Sequence, residues 1–327
     1  MSLENVIDAV RSANSFLITS HIDLDGDAVG SELGLALLLE RMGKKAVVVN
    51  HDSLPGHYDF LPGGHLVRSS PQEAGGVEVG VVLDCTSLER TGSIGRFLVE
   101  SRIPIVNIDH HSGNASFGAV NLVRPEACAT AIIILDLVRA LGHSIGPDVA
   151  TCLYAALVSE TGSFRLSNTS PESLEVCACL VREGAGPYEI AASLFSRRSP
   201  QALRLIGEAM SSLEMSLDGA LAMICLRRSR IEERGVRGEE LEGIVNFAMS
   251  VKGARVGVFL RELPDSVVKA SLRSNGTVDV DQVARRFGGG GHSNAAGARI
   301  PGTLDEVKGI VLERIAEAVG NGRSHQR

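Results

Sequence analysis

The sequence predicts an α/β protein with a doubly wound, parallel-sheet N-terminal domain and a smaller α+β C-terminal domain. Short unbroken apolar runs rich in Val and Ile alternate with longer helical stretches up to about residue 185. Runs of that kind mark strands buried on both faces of a parallel sheet. The texture changes after Gly186-Pro187, and 327 residues suffice for two domains, each with its own core.

Taken in order, residues 16–20, 46–50, 79–84 and 103–108 read as strands of the first domain. Residues 28–42, 126–141, 148–159 and 171–183 read as helices, with Gly43, Gly142 and Gly184 where three of them should stop. Residues 51–76, rich in Pro, Gly and Ser, read mostly as loop. This places the first domain at 1–186, a helical connector at 187–214 and the second domain at 215–321. The second domain is expected to hold strands at 220–226, 255–261 and 267–273 and helices near 239–249, 279–287 and 304–319. The pair Arg197-Arg198 reads as a solvated face and the tail 321–327 as frayed.

Composition narrows the function classes. A net charge of −7 argues against tracking along long nucleic acid by phosphate neutralisation. The absence of Trp and an aromatic share of 4% argue against an extended base-stacking platform. No apolar run approaches the ~20 residues that cross a bilayer, and the first residues lack a secretion signal, so the expected address is the cytoplasm, without membrane. Six scattered cysteines in apolar surroundings, with no Cys-x-x-Cys pair, read as small buried residues of a reducing compartment. A homodimer is compatible with the sequence.

The chemistry is concentrated at element ends. His21, Asp23, Asp25 and Asp27 crowd one strand-to-helix turn, where their like charges repel unless cations hold them. The strand that starts at Val79 runs into Asp84, the one that starts at Ile103 into Asp109-His110-His111, and a helix into Glu160-Thr161-Gly162. Singly, Asp25 and Asp27 could cap a helix, Asp84 could cap a turn and the histidine pair could be surface loop. Jointly, His21, Asp25, Asp27, Asp84, His110 and Glu160 suit two divalent transition ions sharing a bridging carboxylate. Mixed nitrogen and oxygen donors fit Mn²⁺ better than Mg²⁺, with Zn²⁺, Co²⁺ and Fe²⁺ still open.

His-x-x-x-Asp-x-Asp-Ala-x-Gly-Ser at 21–31, Asp84, Asp-His-His at 109–111 and Glu-Thr-Gly at 160–162 resemble the four motifs of the DHH phosphoesterases. Phe-Gly-Gly-Gly-Gly-His-Ser-Asn-Ala-Ala-Gly at 287–297 resembles the signature of that family's associated C-terminal domain. The resemblance implies that His21, Asp25 and Asp84 hold one ion and Asp27, Asp84, His110 and Glu160 the other. His111 would face the substrate, with Asp109 orienting the histidines. Leu24 stands where the family often has Pro, and Glu160 where Asp is usual.

Gly288, Gly289, Gly290 and Gly291 can adopt positive φ and bring backbone amides to an anion, and the small residues after His292 read as a helix start. With Arg273 and Ser274 they are expected to grip a substrate phosphate or base. The short, acidic, two-domain chain is similar to the nanoRNase and pAp-phosphatase branch. That implies hydrolysis of short oligoribonucleotides to nucleoside 5′-monophosphates and removal of the 3′-phosphate of pAp. The competing readings are a hydrolase of linear or cyclic dinucleotide messengers and a catalytically weak nucleotide-binding module.

Overall fold

The computed structural model describes residues 2–195 and 198–321, so Arg197 of the basic pair and residues 322–327 of the tail lie outside the described residues. The chain divides into two compact units, Met1–Arg197 and Arg198–Arg327.

The first unit runs α1 (Leu3–Ser12), β1 (Ser15–Thr19), α2 (Gly26–Arg41), β2 (Lys45–Val48), β3 (Val79–Leu83), α3 (Ser93–Glu100), β4 (Ile105–Asp109), β5 (Val120–Val123), α4 (Thr130–Ala140), α5 (Gly146–Glu160), α6 (Pro171–Arg182) and α7 (Pro187–Phe195). Its five strands form an all-parallel sheet in the order β2-β1-β3-β4-β5. The unbroken apolar runs are explained by burial on both faces. Phe16, Ile18, Val81 and Ile108 share a core with residues of α2, α4 and α5, and Leu17, Val47 and Val82 pack with Ile94 and Leu98 of α3. The strand order reverses between β1 and β3, and the carboxyl ends of strands at such a switch point are where these sheets gather ligands. The edge strand β5 and the short helix α3 escaped the sequence reading because four and eight residues are too few to establish a period.

Close packing of α2 on α5 brings the start of one helix to the end of the other. Gly26, Gly30 and Gly34 form a stripe at four-residue spacing on α2. A Cβ at Gly26 would lie 2.3 Å from Ser159 Oγ, and one at Gly30 would lie 2.4 Å from the Cys152 carbonyl oxygen. Only glycine admits this approach, and it carries Glu160, the last residue of α5, toward the turn before α2.

The second unit contains α8 (Pro200–Ser211), β6 (Glu214–Ser216), β7 (Leu221–Leu226), α9 (Arg228–Arg234), α10 (Ile244–Met249), β8 (Val256–Leu263), β9 (Val267–Ser274), α11 (Val280–Arg285), β10 (Gly290–His292), β11 (Ala295–Pro301) and α12 (Leu304–Asn321). The sheet order is β10-β11-β9-β8-β7-β6, with β7 and β8 parallel and the other neighbours antiparallel. One face packs on α11 and α12, the other on α8 and α10. The stretch read as a connector forms α7, in the first unit, and α8, in the second.

Two expectations are corrected. The helix at 239–249 is a 3-10 turn, Gly238–Leu241, followed by α10, the break falling at Gly243 with φ +80°. The helix start after His292 is instead the hairpin strand β11, paired along its length with β9. Helix-favouring alanines are overridden because Ala296, Ala298 and Ile300 close the sheet's core. Gly289 is required there by packing: a Cβ would lie 2.1 Å from the Gly297 carbonyl oxygen.

Candidate metal centre

His21 follows β1, Asp84 follows β3, and Asp109 ends β4 with His110 and His111 next, so all five stand at strand carboxyl ends. Asp84 adopts φ +52°, a left-handed conformation costly for a non-glycine residue. Its N–H donates to the Ile108 carbonyl at 3.0 Å, which fixes the turn.

Each histidine is oriented through Nδ1. His21 Nδ1 donates to the Ile22 carbonyl at 2.8 Å and His110 Nδ1 to the Ala127 carbonyl at 3.1 Å. Carbonyls only accept, so Nδ1 carries the proton and each Nε2 is the atom that could coordinate a metal. His21 Nε2 then lies 3.6 Å from Asp84 Oδ2 and 3.8 Å from Asp25 Oδ2. His110 Nε2 lies 3.3 Å from Asp84 Oδ1 and 3.6 Å from Asp27 Oδ2. His111 Nδ1 meets Asp109 Oδ1 at 2.7 Å.

Two groups of donor atoms, His21/Asp25/Asp84 and Asp27/Asp84/His110, therefore share Asp84, the atoms in each lying within 4.8 Å of one another. Neither group includes Glu160. Its carboxyl is nonetheless close enough for the charges of Glu160 and His110 to act on each other. Asp25 serves twice: Oδ1 caps α2 by accepting from the N–H groups of Asp27 and Ala28, at 3.0 and 3.1 Å, while Oδ2 faces His21.

The electrostatics are those of a site built for cations. Burial pushes the Asp27 carboxyl up to about 7, helped by the Asp84 charge. Burial also raises Glu160 well above its ordinary value, against the pull of His110. Burial works against charge on His21, yet Asp84 and Asp25 outweigh it and lift the imidazole to about 9. Asp84, despite its burial, is held well below the usual carboxylate range by His110 and His21. Without another cation the cluster balances its charge with protons. Oxygen and imidazole donors so arranged fit divalent transition ions.

Several supporting residues were not found from sequence. Asn114 Nδ2 donates to Asp109 Oδ2 at 2.6 Å, leaving Oδ1 for the N–H groups of His110 and His111 and the His111 ring. Asn50 Oδ1 accepts from Ser20 N–H at 3.0 Å and Thr19 Oγ1 at 3.1 Å, tying down the end of β1. Its Nδ2 donates at 2.9 Å to Glu32, whose buried carboxyl is pushed up to about 8. Thr130 hydrogen-bonds both Asp27 and Asp84. An Asn three residues past a histidine pair was the one signal available locally.

In the second unit, Arg273, Ala295 and His292 stand directly across from one another on β9, β11 and β10. Arg273 and His292 thus share a sheet face, their backbones roughly 10 Å apart. Lys269, Ser271 and Arg273 alternate onto that face and line a small cleft with Arg261 and Phe259. Ser274 alternates to the opposite face, and its hydroxyl accepts from the N–H groups of Gly276 and Val278 at 3.1 and 3.3 Å.

Residues 15–157 match the DHH family, N-terminal domain, and residues 220–321 match the DHHA1 domain. The bifunctional oligoribonuclease and PAP phosphatase NrnA of Thermus thermophilus is 35% identical over 301 residues, 92% of this chain and 89% of that protein. The chain belongs to the DHH family. Bacillus subtilis NrnA, described by the same name, is 25% identical over 94% of this chain and 96% of its own. The crystal structure of an exopolyphosphatase-related protein from Bacteroides fragilis is 26% identical, with a TM-score of 0.87 over 98% of this chain and 95% of that one. The DHH match takes in His21, Asp25, Asp27, Asp84 and Asp109–His111 and ends before Glu160.

Proposed function

We propose that this DHH-family chain is a metal-dependent phosphoesterase that hydrolyses short oligoribonucleotides to nucleoside 5′-monophosphates and removes the 3′-phosphate of pAp. The observation that carries the reading is the sharing of Asp84 between two donor groups, buried except for Asp25, at the carboxyl ends of the strands of a parallel sheet. The name borne by the Thermus relative, whose similarity extends over both units, supports the substrate class.

His21, Asp25 and Asp84 would hold one ion, and Asp27, Asp84 and His110 the other, with Glu160 completing the second set through its longer arm. Mn²⁺ is the ion proposed, because imidazole nitrogen suits it better than Mg²⁺. Ions so placed supply positive charge that polarises water and neutralises phosphoryl oxygens. Asp109 holds the His111 ring by Nδ1, so His111 Nε2 is the atom that holds or passes a proton at the substrate. Arg273, His292 and the backbone of Gly290 and Gly291 bind a phosphate, the Gly289 N–H being taken by the Ala284 carbonyl, while Ser274 keeps the β9 turn in shape. The acidic chain takes short substrates rather than long nucleic acid. Six cysteines outside any disulfide fit a reducing cytoplasm.

The deciding experiment compares kcat/KM for pAp, di- to pentaribonucleotides, linear and cyclic dinucleotides and pyrophosphate, with Mn²⁺ and with EDTA. Turnover of pAp and short RNA that EDTA abolishes and Mn²⁺ restores supports the reading. Preference for cyclic dinucleotides, or tight pAp binding without turnover under any divalent ion, overturns it.

A further inference from the structure

Asp27 and Asp84 come from elements far apart in sequence, yet one residue touches both. Thr130 N–H donates to Asp27 Oδ2 at 2.7 Å, and Thr130 Oγ1 donates to Asp84 Oδ1 at 3.1 Å. The hydroxyl is fully buried and is not spent on the helix it begins. The residue before it, Ala129, offers no side-chain cap. The first-turn amides of α4, which lack partners within the helix, are met instead by Asp27, which also accepts from Ala131 N–H and Ser31 Oγ, each at 3.1 Å.

The choice of oxygen matters. Asp84 Oδ1 is the oxygen facing His110, and Oδ2 is the one facing His21. A carboxylate on a strained left-handed residue can rotate about its terminal bond, and a hydrogen bond to one oxygen sets that rotation. We infer that Thr130 is the positioning residue that divides Asp84 between the two donor groups, by holding Oδ1 on the side of Asp27 and His110. The inference rests on the two-ion reading of the site.

The test uses the full chain and Mn²⁺ titrations read by calorimetry and by the electron paramagnetic resonance of the bound ions. Thr130→Val removes the hydroxyl and keeps the N–H that Asp27 uses. Wild type is expected to bind two ions with the magnetic coupling of a bridged pair. In Thr130→Val one site should weaken about 10- to 100-fold with loss of that coupling, while the other site stays within about threefold. Thr130→Ser should restore both. Should the valine variant fail to fold, as judged by circular dichroism, Thr130→Ala takes its place with the same expectation.

Unchanged affinities and coupling in the hydroxyl-free variant overturn the inference. So does a serine variant as impaired as the valine one, since the methyl group would then be what matters. Wild type that binds fewer than two ions overturns the two-ion reading itself, a failure seen before any variant is made.

Discussion

Asp84 divides one carboxylate between two histidines, so its two oxygens are not equivalent: Oδ1 meets His110 and Thr130, Oδ2 meets His21. Asp84→Asn keeps the shape but halves the charge available to both groups. It is expected to lower kcat/KM by about 10³-fold or more, measured on pAp at saturating Mn²⁺, and normal turnover would sink the shared-carboxylate scheme. Asp109 acts one step further back, through four hydrogen bonds, two of which fix His111. Asp109→Asn should lower kcat by about 10²- to 10⁴-fold with KM nearly unchanged, since a ring in the wrong tautomer still leaves the phosphate contacts intact. A rise in KM alone would reassign Asp109 to binding. His21, Asp25, Asp27, Asp84 and the Asp109–His111 run were legible because each sits beside a recognisable apolar element. Thr130, Asn50 and Glu32 were not, because their partners lie tens of residues away and nothing in their own neighbourhood marks them.

Among the elements, the approach of α2 to α5 is a contact with no room for a methyl group. Gly30→Ala places a methyl against the Cys152 backbone, and overpacking of this kind costs about 1–3 kcal/mol. A melting temperature lower by roughly 3–10 °C is expected, with a further loss of activity because Glu160 rides on α5. Gly207→Ala is the matched control on α8, where a Cβ meets nothing within 4 Å. That change should stabilise by about 0.5–1 kcal/mol. Equal effects at the two positions would remove the packing role of the stripe. The strands of the first sheet were legible because two-sided burial leaves unbroken apolar runs. The hairpin of β10 and β11 was not, because a run of four glycines and three alanines carries no strand period. Its strand character comes from pairing with β9, a contact that no local composition reports.

For the molecule as a whole, the buried site ties stability to pH. Asp27 and Glu32 are raised to about 7 and about 8, and His21 to about 9, so the folded chain binds more protons than the unfolded one between the ordinary and the raised values. Such groups add stability at low pH that is lost as pH rises. Asp84, lowered instead, adds stability that is present above its ordinary value of 3.8 and steady beyond it. In EDTA the melting temperature should therefore fall from pH 5 to pH 9. The increment given by Mn²⁺ should grow over the same range, because the ion displaces protons that high pH has already removed. A metal-free melting temperature that climbs with pH would contradict the burial of these groups.

The donor groups draw on residues from His21 to His110, carried by the ends of three strands and the start of α2, which must be docked together before any full set exists. This gives the site a place in time. A cation finds only fragments of its cage on a half-folded chain, so its binding energy is gained after the folding barrier has been crossed. In stopped-flow experiments Mn²⁺ should leave the refolding rate nearly untouched and slow unfolding in proportion to the stability it adds. The loaded protein would then owe its persistence to a slow exit from the native state rather than to a fast entry into it.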